Sequence, residues 1–242
     1  ASYASKNYDP DYALFQRAIC RGLDKDYNGK FNDMKALTEQ FPNSSYVDDA
    51  IFEMAHAQEK LNMEDNAIVS YNRLTTQYPE SPYVKKALLQ IGLIYYNKNN
   101  YENSLTYYKR VVEKYPNTEE SKAALMGIKN NYIELNNVDA FFEYSGSTGS
   151  NAQVSSSAQD SIYYLAAEKK YMNGDSTSVA QLEEYLKRFP NGNFKLNVSY
   201  YLAESYYGKG EYTRSLELYE VVAAAPDNLF TEQSVMRAAE LS

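Results

Sequence analysis

The stretch YVKKALLQIGLIYYNKNNYENSLTYYKRVVEKYPNT, residues 83–118, decides the fold. Large apolar residues recur in it at helical spacing, Leu88, Ile91 and Tyr95 in a first run, Tyr108 and Val111 in a second. The polar turn Lys98-Asn99-Asn100 separates the runs, and Pro116 stops the second because proline lacks an N–H and its ring clashes with the preceding turn. This spacing predicts helices over Tyr83–Asn97 and Glu102–Tyr115. Gly92 costs a helix about 1 kcal/mol relative to Ala. Its place in the first run therefore marks a point where two helix backbones meet too closely for a larger side chain.

The same frame extends along the chain. The pairs Phe41-Pro42, Tyr78-Pro79 and Tyr115-Pro116 stand 37 residues apart, Phe189-Pro190 follows after 74, and Pro226 falls one residue short of the next slot. Ala18, Ala55, Gly92, Ala166, Ala203 and Ala239 form a small-residue column, with Lys129 as its exception. Met54, Ile91, Ile128, Leu165 and Leu202 precede it, with Arg17 out of pattern. A second stripe follows: Ala67, Ser104, Ser178 and Ser215; then Met34, Tyr71, Tyr108, Leu182 and Tyr219; then Leu37, Leu74, Val111, Tyr185 and Val222. Each unit thus reads as two antiparallel helices. Ser44, Ser81, Thr118 and Asn228, two residues after each Pro, are of the types that accept a hydrogen bond from the free N–H groups opening a helix. Gly192 breaks that column, and Asn191 or Asn193 is the expected substitute cap.

The columns Leu88, Ile91-Gly92, Tyr95, Ser104, Tyr108, Val111 and Pro116 resemble the tetratricopeptide repeat. The resemblance covers nearly the whole chain and implies an all-α fold, a right-handed α-solenoid of about six and a half helical hairpins. The period exceeds the usual length of about 34 residues, the excess lying in the junctions Pro42–Tyr46 and Pro79–Tyr83. That longer junction resembles repeats of bacterial cell-envelope proteins, the outer-membrane assembly lipoproteins and the periplasmic coordinator of the Tol-Pal system. It implies a periplasmic setting, or the periplasmic face of the outer membrane.

The frame weakens once. A first helix is expected near Glu119–Leu135 and a second at Val138–Tyr144, after which Ser145-Gly-Ser-Thr-Gly-Ser and Ser155-Ser-Ser favour a flexible connection. The expected organisation is an array over 1–144, a connection over 145–157 and a second array over 158–242, the connection being a loop on a continuous solenoid or a hinge. Leu229–Leu241 reads as the first helix of a seventh unit, which suggests a piece of a longer repeat protein. Arg17 and Lys30 mark the opening unit as a cap or a divergent repeat.

Composition narrows the function. The 242 residues are 44% apolar, enough for a sizeable core. A mean hydropathy of -0.62 and the lack of a long apolar run argue against a membrane span. The start Ala1-Ser-Tyr-Ala-Ser-Lys has no targeting pattern, so any such segment is expected to have been removed. A net charge of -8 without a basic stripe argues against nucleic acid. Cys20 is alone, so no intrachain disulfide or thiolate cluster forms, and a buried structural thiol is expected. His56 is the only histidine, which leaves little for a nucleophilic triad or a multi-histidine metal site. Glu119-Glu120 and Glu183-Glu184 read as solvated charge, and Gly146 and Gly149 lack the context of a phosphate loop. Neither a cofactor nor a metal is expected.

Binding surface is the better candidate. First helices of stacked hairpins line a concave face, which here carries Phe15, Phe52, Leu89, Met126, Tyr163 and Tyr200, then Ile19, His56, Leu93, Asn130, Ala167 and Glu204 one turn on. Glu59, Tyr96, Lys170 and Tyr207 continue it. For Leu89 and Met126 burial between units is the favoured reading, while for Tyr96, Tyr163, Tyr200 and Tyr207 packing and recognition stand even. The partner-binding set is Phe52, His56, Lys86, Leu93, Tyr96, Tyr163, Lys170, Tyr200, Glu204 and Tyr207. With Lys86 the only basic residue in the slots that some members of the family use to grip a C-terminal carboxylate, chaperone partners of that kind are not expected. A groove of Tyr and aliphatic residues suits an extended peptide or a helix. The expected function is a non-catalytic protein-interaction scaffold serving a bacterial envelope. The alternative is a glycan-binding module of an outer-membrane nutrient-uptake system, and an enzyme comes third.

Overall fold

A computed structural model describes residues 9–148 and 154–242. Among the described residues there are thirteen helices and no strand: α1 Pro10–Leu23, α2 Tyr27–Gln40, α3 Val47–Lys60, α4 Glu64–Gln77, α5 Val84–Asn97, α6 Tyr101–Lys114, α7 Glu119–Glu134, α8 Val138–Ser147, α9 Ser156–Met172, α10 Ser178–Arg188, α11 Lys195–Gly208, α12 Tyr212–Ala223 and α13 Thr231–Leu241. Two compact units meet at Asn131 and Tyr132, inside α7. Helices α1 to α6 of the first pack each on the next, and α9 to α13 of the second do the same. The chain is thus all-α and built of helical hairpins, consistent with an α-solenoid. Of the Ser145–Ser157 connection, residues 149–153 lie outside the described residues. Its two ends are helical, since Ser145–Ser147 close α8 and Ser156 opens α9.

One backbone device makes every hairpin turn. Lys25, Asn62, Asn99, Asn136, Gly174 and Gly210 have φ between 54° and 76°. After each, an amide N–H reaches back to the carbonyl five residues earlier, as from Asn100 to Tyr95 at 2.9 Å and from Glu211 to Tyr206 at 2.9 Å. That bond closes the helix on its own free carbonyls, and the left-handed residue inside it is cheapest as Asn or Gly.

Where the two helices of a hairpin cross, small residues face each other. Ala18, Ala55 and Ala203 are fully buried. The Ser104 hydroxyl donates to the Gly92 carbonyl at 2.8 Å, and Ser215 to that of Ala203 at 2.9 Å, so the serines of the second stripe bond across the crossing. A methyl group on Gly92 would come within 2.7 Å of the Tyr108 ring, and one on Gly127 within 2.4 Å. Tyr108 therefore sits between two glycines. Gly127 makes on α7 the room that Lys129, in the small column, does not.

The opening hairpin keeps this geometry with charge in place of apolar contact. Arg17 grips Asp33 through two bonds of 2.8 and 2.7 Å, and the buried Lys30 pairs with Glu53. Two sequence expectations about burial are corrected: Cys20 is exposed, and Leu165 is 46% exposed because α9 turns Ile162, Tyr163 and Tyr164 inward instead.

Candidate partner-binding faces

The junctions between hairpins decide what the first helices leave open. Ser44, Ser81 and Asn228 bond the N–H only two residues on, at 3.1, 3.2 and 3.0 Å, so they shape a turn ahead of the helix and do not cap it. The cap position itself holds Tyr46, Tyr83, Phe194 or Phe230, none with a side-chain capping bond. These rings turn back onto the preceding first helix. Tyr46 stacks on Phe15 at 5.2 Å, Tyr83 on Phe52 at 4.9 Å, Phe194 on Tyr164 at 4.1 Å and Phe230 on Tyr200 at 4.5 Å. In α7 and α9 the position is taken by small hydroxyl residues, and Thr118 and Ser155 do accept from Ser121 and Ala158 N–H groups, at 3.1 and 3.2 Å. From α3 onward each first helix thus starts with either a ring or a true cap; α1 opens on Asp9 with neither.

Gly192 also finds its reason here. A methyl group on it would lie 2.5 Å from the Tyr185 hydroxyl and 2.8 Å from the Asp160 carboxylate. The buried Asp160 accepts the Tyr185 hydroxyl and the Asn193 N–H, the latter at 2.7 Å, in place of the cap expected from Asn191 or Asn193.

In the first unit, the faces of α3 and α5 bring part of the expected set together. On α3, Phe52 lies half-buried beneath Tyr83, whose hydroxyl donates to Asp49 at 2.5 Å. That bond, with burial, pushes the Tyr83 hydroxyl up to about 12. Burial, and next the nearby Lys30 ammonium, hold His56 below the ordinary imidazole value, so it is neutral at pH 7. Glu59 accepts the Tyr71 hydroxyl. On α5, Lys86, Leu89 and Leu93 share one stripe at helical spacing. Leu93 is 43% exposed. Tyr96 packs against Tyr101 with ring centres 5.7 Å apart. Met126 of α7 is 63% exposed, which corrects its expected burial.

In the second unit the expected residues are mostly occupied. Tyr163 is buried against Phe142, its hydroxyl bonded to Asp139 and Arg188 and its ring 4.7 Å from that guanidinium. Lys170 turns to Thr177 at 2.7 Å. Tyr200, Glu204 and Tyr207 share α11, where Phe230 covers Tyr200, Glu204 accepts the Tyr219 hydroxyl, and Arg237 lies 4.3 Å over Tyr207. Sequence reasoning missed Phe230 and Arg237, although Phe230 stands in the same slot as Tyr46 and Tyr83. A cavity of about 290 Å³ in this unit is lined by Leu186, Leu202 and Tyr206, with Glu183 and Arg214. Its rim is closed on itself, Arg214 bonding Glu183 at 2.6 Å and lying 4.0 Å over Tyr206.

Among the described residues no group of three or more His, Cys, Asp or Glu side chains is placed to hold a metal, and no helix is long and apolar enough to cross a membrane.

Comparison with known proteins agrees with the hairpin geometry. The tetratricopeptide-repeat model matches residues 49–81 and 86–118, the two hairpins α3–α4 and α5–α6. No curated protein matches the chain. Among solved structures, the C-terminal part of a tetratricopeptide-repeat protein from Cytophaga hutchinsonii is 15% identical, with a TM-score of 0.53 over 96% of this chain and 90% of that one. The yeast Sti1 TPR2AB domain in its pHSP90 complex is 14% identical, with a TM-score of 0.47 over 96% and 82%. A tetratricopeptide-repeat protein from Parabacteroides merdae is 14% identical, with a TM-score of 0.33 over 96% and 98%. The likeness in fold rests on the Cytophaga structure. Repeats of this kind generally mediate contacts between proteins, and their fold is typically a non-catalytic scaffold.

Proposed function

We propose that this chain is a non-catalytic scaffold whose first-helix faces bind a peptide or helical segment of another protein, in the assembly or maintenance of a bacterial cell envelope. One observation carries the binding: Leu93 and Met126, both on first helices and in columns assigned to the concave face, are 43% and 63% exposed. Apolar side chains left open on first helices support a docking surface there. The envelope setting is supported by the 37-residue frame and its Pro-x-Ser-x-Tyr junctions.

A photo-crosslinking amino acid at Leu93 tests the first part. Expected is a discrete protein adduct that disappears when Tyr96 and Phe52 are replaced by Ala, and the absence of any protein adduct contradicts the reading. Fractionation of source cells tests the second, with the chain expected in the periplasmic or outer-membrane fraction and a purely cytosolic signal contradicting it.

A further inference from the structure

We infer that the partner docks on the α3–α5 face of the first unit and brings a large apolar side chain, aromatic or aliphatic, close in sequence to a carboxylate. This rests on the protein-binding reading above.

The molecule itself shows what belongs over that face. On α1, α3, α9 and α11 the ring opening a later first helix stacks on an aromatic residue. On α5 the corresponding residue is Leu89, and the helix that follows, α7, begins with the capping Thr118 and has no ring. Glu120, two residues on, turns aside to Lys85 at 3.0 Å. Among the described residues the slot over Leu89 holds Glu120 and no ring; Leu89 is half-buried, and Leu93, one turn on, stays 43% exposed. A ring or branched aliphatic group of a partner fills the place that Tyr83 fills over Phe52.

Charge gives the second half of the match. Lys86 stands one turn before Leu89 on the same stripe and is exposed. Its ammonium lies 5.9 Å from the Tyr83 ring. Glu120, bonded to Lys85, is close enough to feel the Lys86 charge as well, so two cations stand here against one carboxylate. In the same slot of α3, Asp49 is engaged by the Tyr83 hydroxyl. An exposed cation beside a partly open apolar strip fits a segment in which Asp or Glu flanks the apolar anchor. The second unit offers no such pairing, because Phe230 covers Tyr200 while Arg237 is tied to Glu240 at 2.9 Å and to Tyr207 at 3.1 Å.

The test is selection of random linear peptides displayed on phage against the intact chain, followed by titration of a synthetic peptide carrying the enriched motif. Expected is a motif of a large apolar residue beside Asp or Glu. Its affinity should fall about tenfold or more in Leu93→Glu, as for an interface anchor, and severalfold in Lys86→Glu. A peptide with Lys in place of its acid should regain affinity for Lys86→Glu, which a folding defect would not produce. Tyr207→Ala should leave binding unchanged. Enriched peptides that bind Leu93→Glu as well as the parent, that are basic, or that lose affinity only in Tyr207→Ala overturn this inference and leave the scaffold reading standing. No enrichment at all overturns both.

Discussion

The two units fill the same repeat frame with different chemistry. In the first, the fully buried large side chains are mainly Met34, Leu37, Ile51, Leu74, Leu88 and Ile91, and Tyr71 and Tyr108 are its only second-helix tyrosines in the core. In the second, Tyr163, Tyr164, Tyr185, Tyr201, Tyr206 and Tyr219 are buried. Their hydroxyls end on Asp139, Glu168, Asp160, Glu183 and Glu204. A tyrosine in a repeat core needs a partner for its polar tip, so the second unit carries a carboxylate for nearly every ring and spends its first-helix face on internal contacts. The aliphatic unit commits fewer carboxylates in this way, Glu59 to Tyr71 and Asp49 to Tyr83, both on α3, and Leu93 on α5 stays exposed.

This contrast can be broken from either side. The largest effect is expected from Gly92→Val, which drives a branched side chain into the Tyr108 ring and should cost about 3 kcal/mol. Segment-resolved hydrogen exchange should show the loss in α5 and α6, with α11 and α12 unmoved, as repeat stability is carried by neighbours. Next, Asp160→Ala removes the acceptor of the Asn193 N–H and the Tyr185 hydroxyl, for a loss of about 2 kcal/mol. The same measurement should place that loss in α9 to α11.

Alkaline pH sharpens the contrast. Burial, then the bond to Glu183, pushes the Tyr206 hydroxyl up to about 12, and burial first of all does the same to Tyr108. A tyrosine with a raised folded value is neutral in the folded chain when the unfolded chain, near the ordinary 10.0, already ionises. Its contribution is therefore complete below pH 10 and is lost as pH rises from there towards 12. Urea midpoints measured across that range should fall, and they should fall further in the second unit, where more such hydroxyls are held. The smallest effect is Tyr219→Phe, expected to cost about 1 kcal/mol while freeing Glu204; a loss of several kcal/mol would mean that the hydroxyl network, and not ring packing, holds the second unit.

Much of the fold was legible because its period is written in residues that admit few alternatives. The Pro116 stop, Gly92 at the crossing and the Lys98-Asn99-Asn100 turn each have one mechanical reason, and α5 and α6 lie within a residue of the expected bounds. The turn column Asn62, Asn99, Asn136, Gly174 and Gly210 was equally readable, since it marks left-handed backbone, and it passes through the weak fourth unit without a break. The weakness there has a local cause: Ser145 occupies the slot that Tyr108 fills one period earlier. Long-range partners were not legible. That Asp160 would bond a loop 33 residues away, making Gly192 necessary, leaves no local pattern. The face was harder still. Tyr163 and Tyr207 look alike in sequence, and only the cover supplied by another hairpin decides that Tyr163 is interior. The stripe of Lys86, Leu89 and Leu93 follows from spacing alone, whereas Met126, expected to be buried, is 63% exposed.

The central claim is that the open first-helix face of the aliphatic unit, and not the tyrosine-filled face of the other, takes the partner. Hydrogen exchange of the chain with and without a saturating acidic-apolar peptide tests it most directly. Slowed exchange in α3 and α5 with α11 to α13 unchanged is the predicted result; protection confined to α11 to α13 would contradict it.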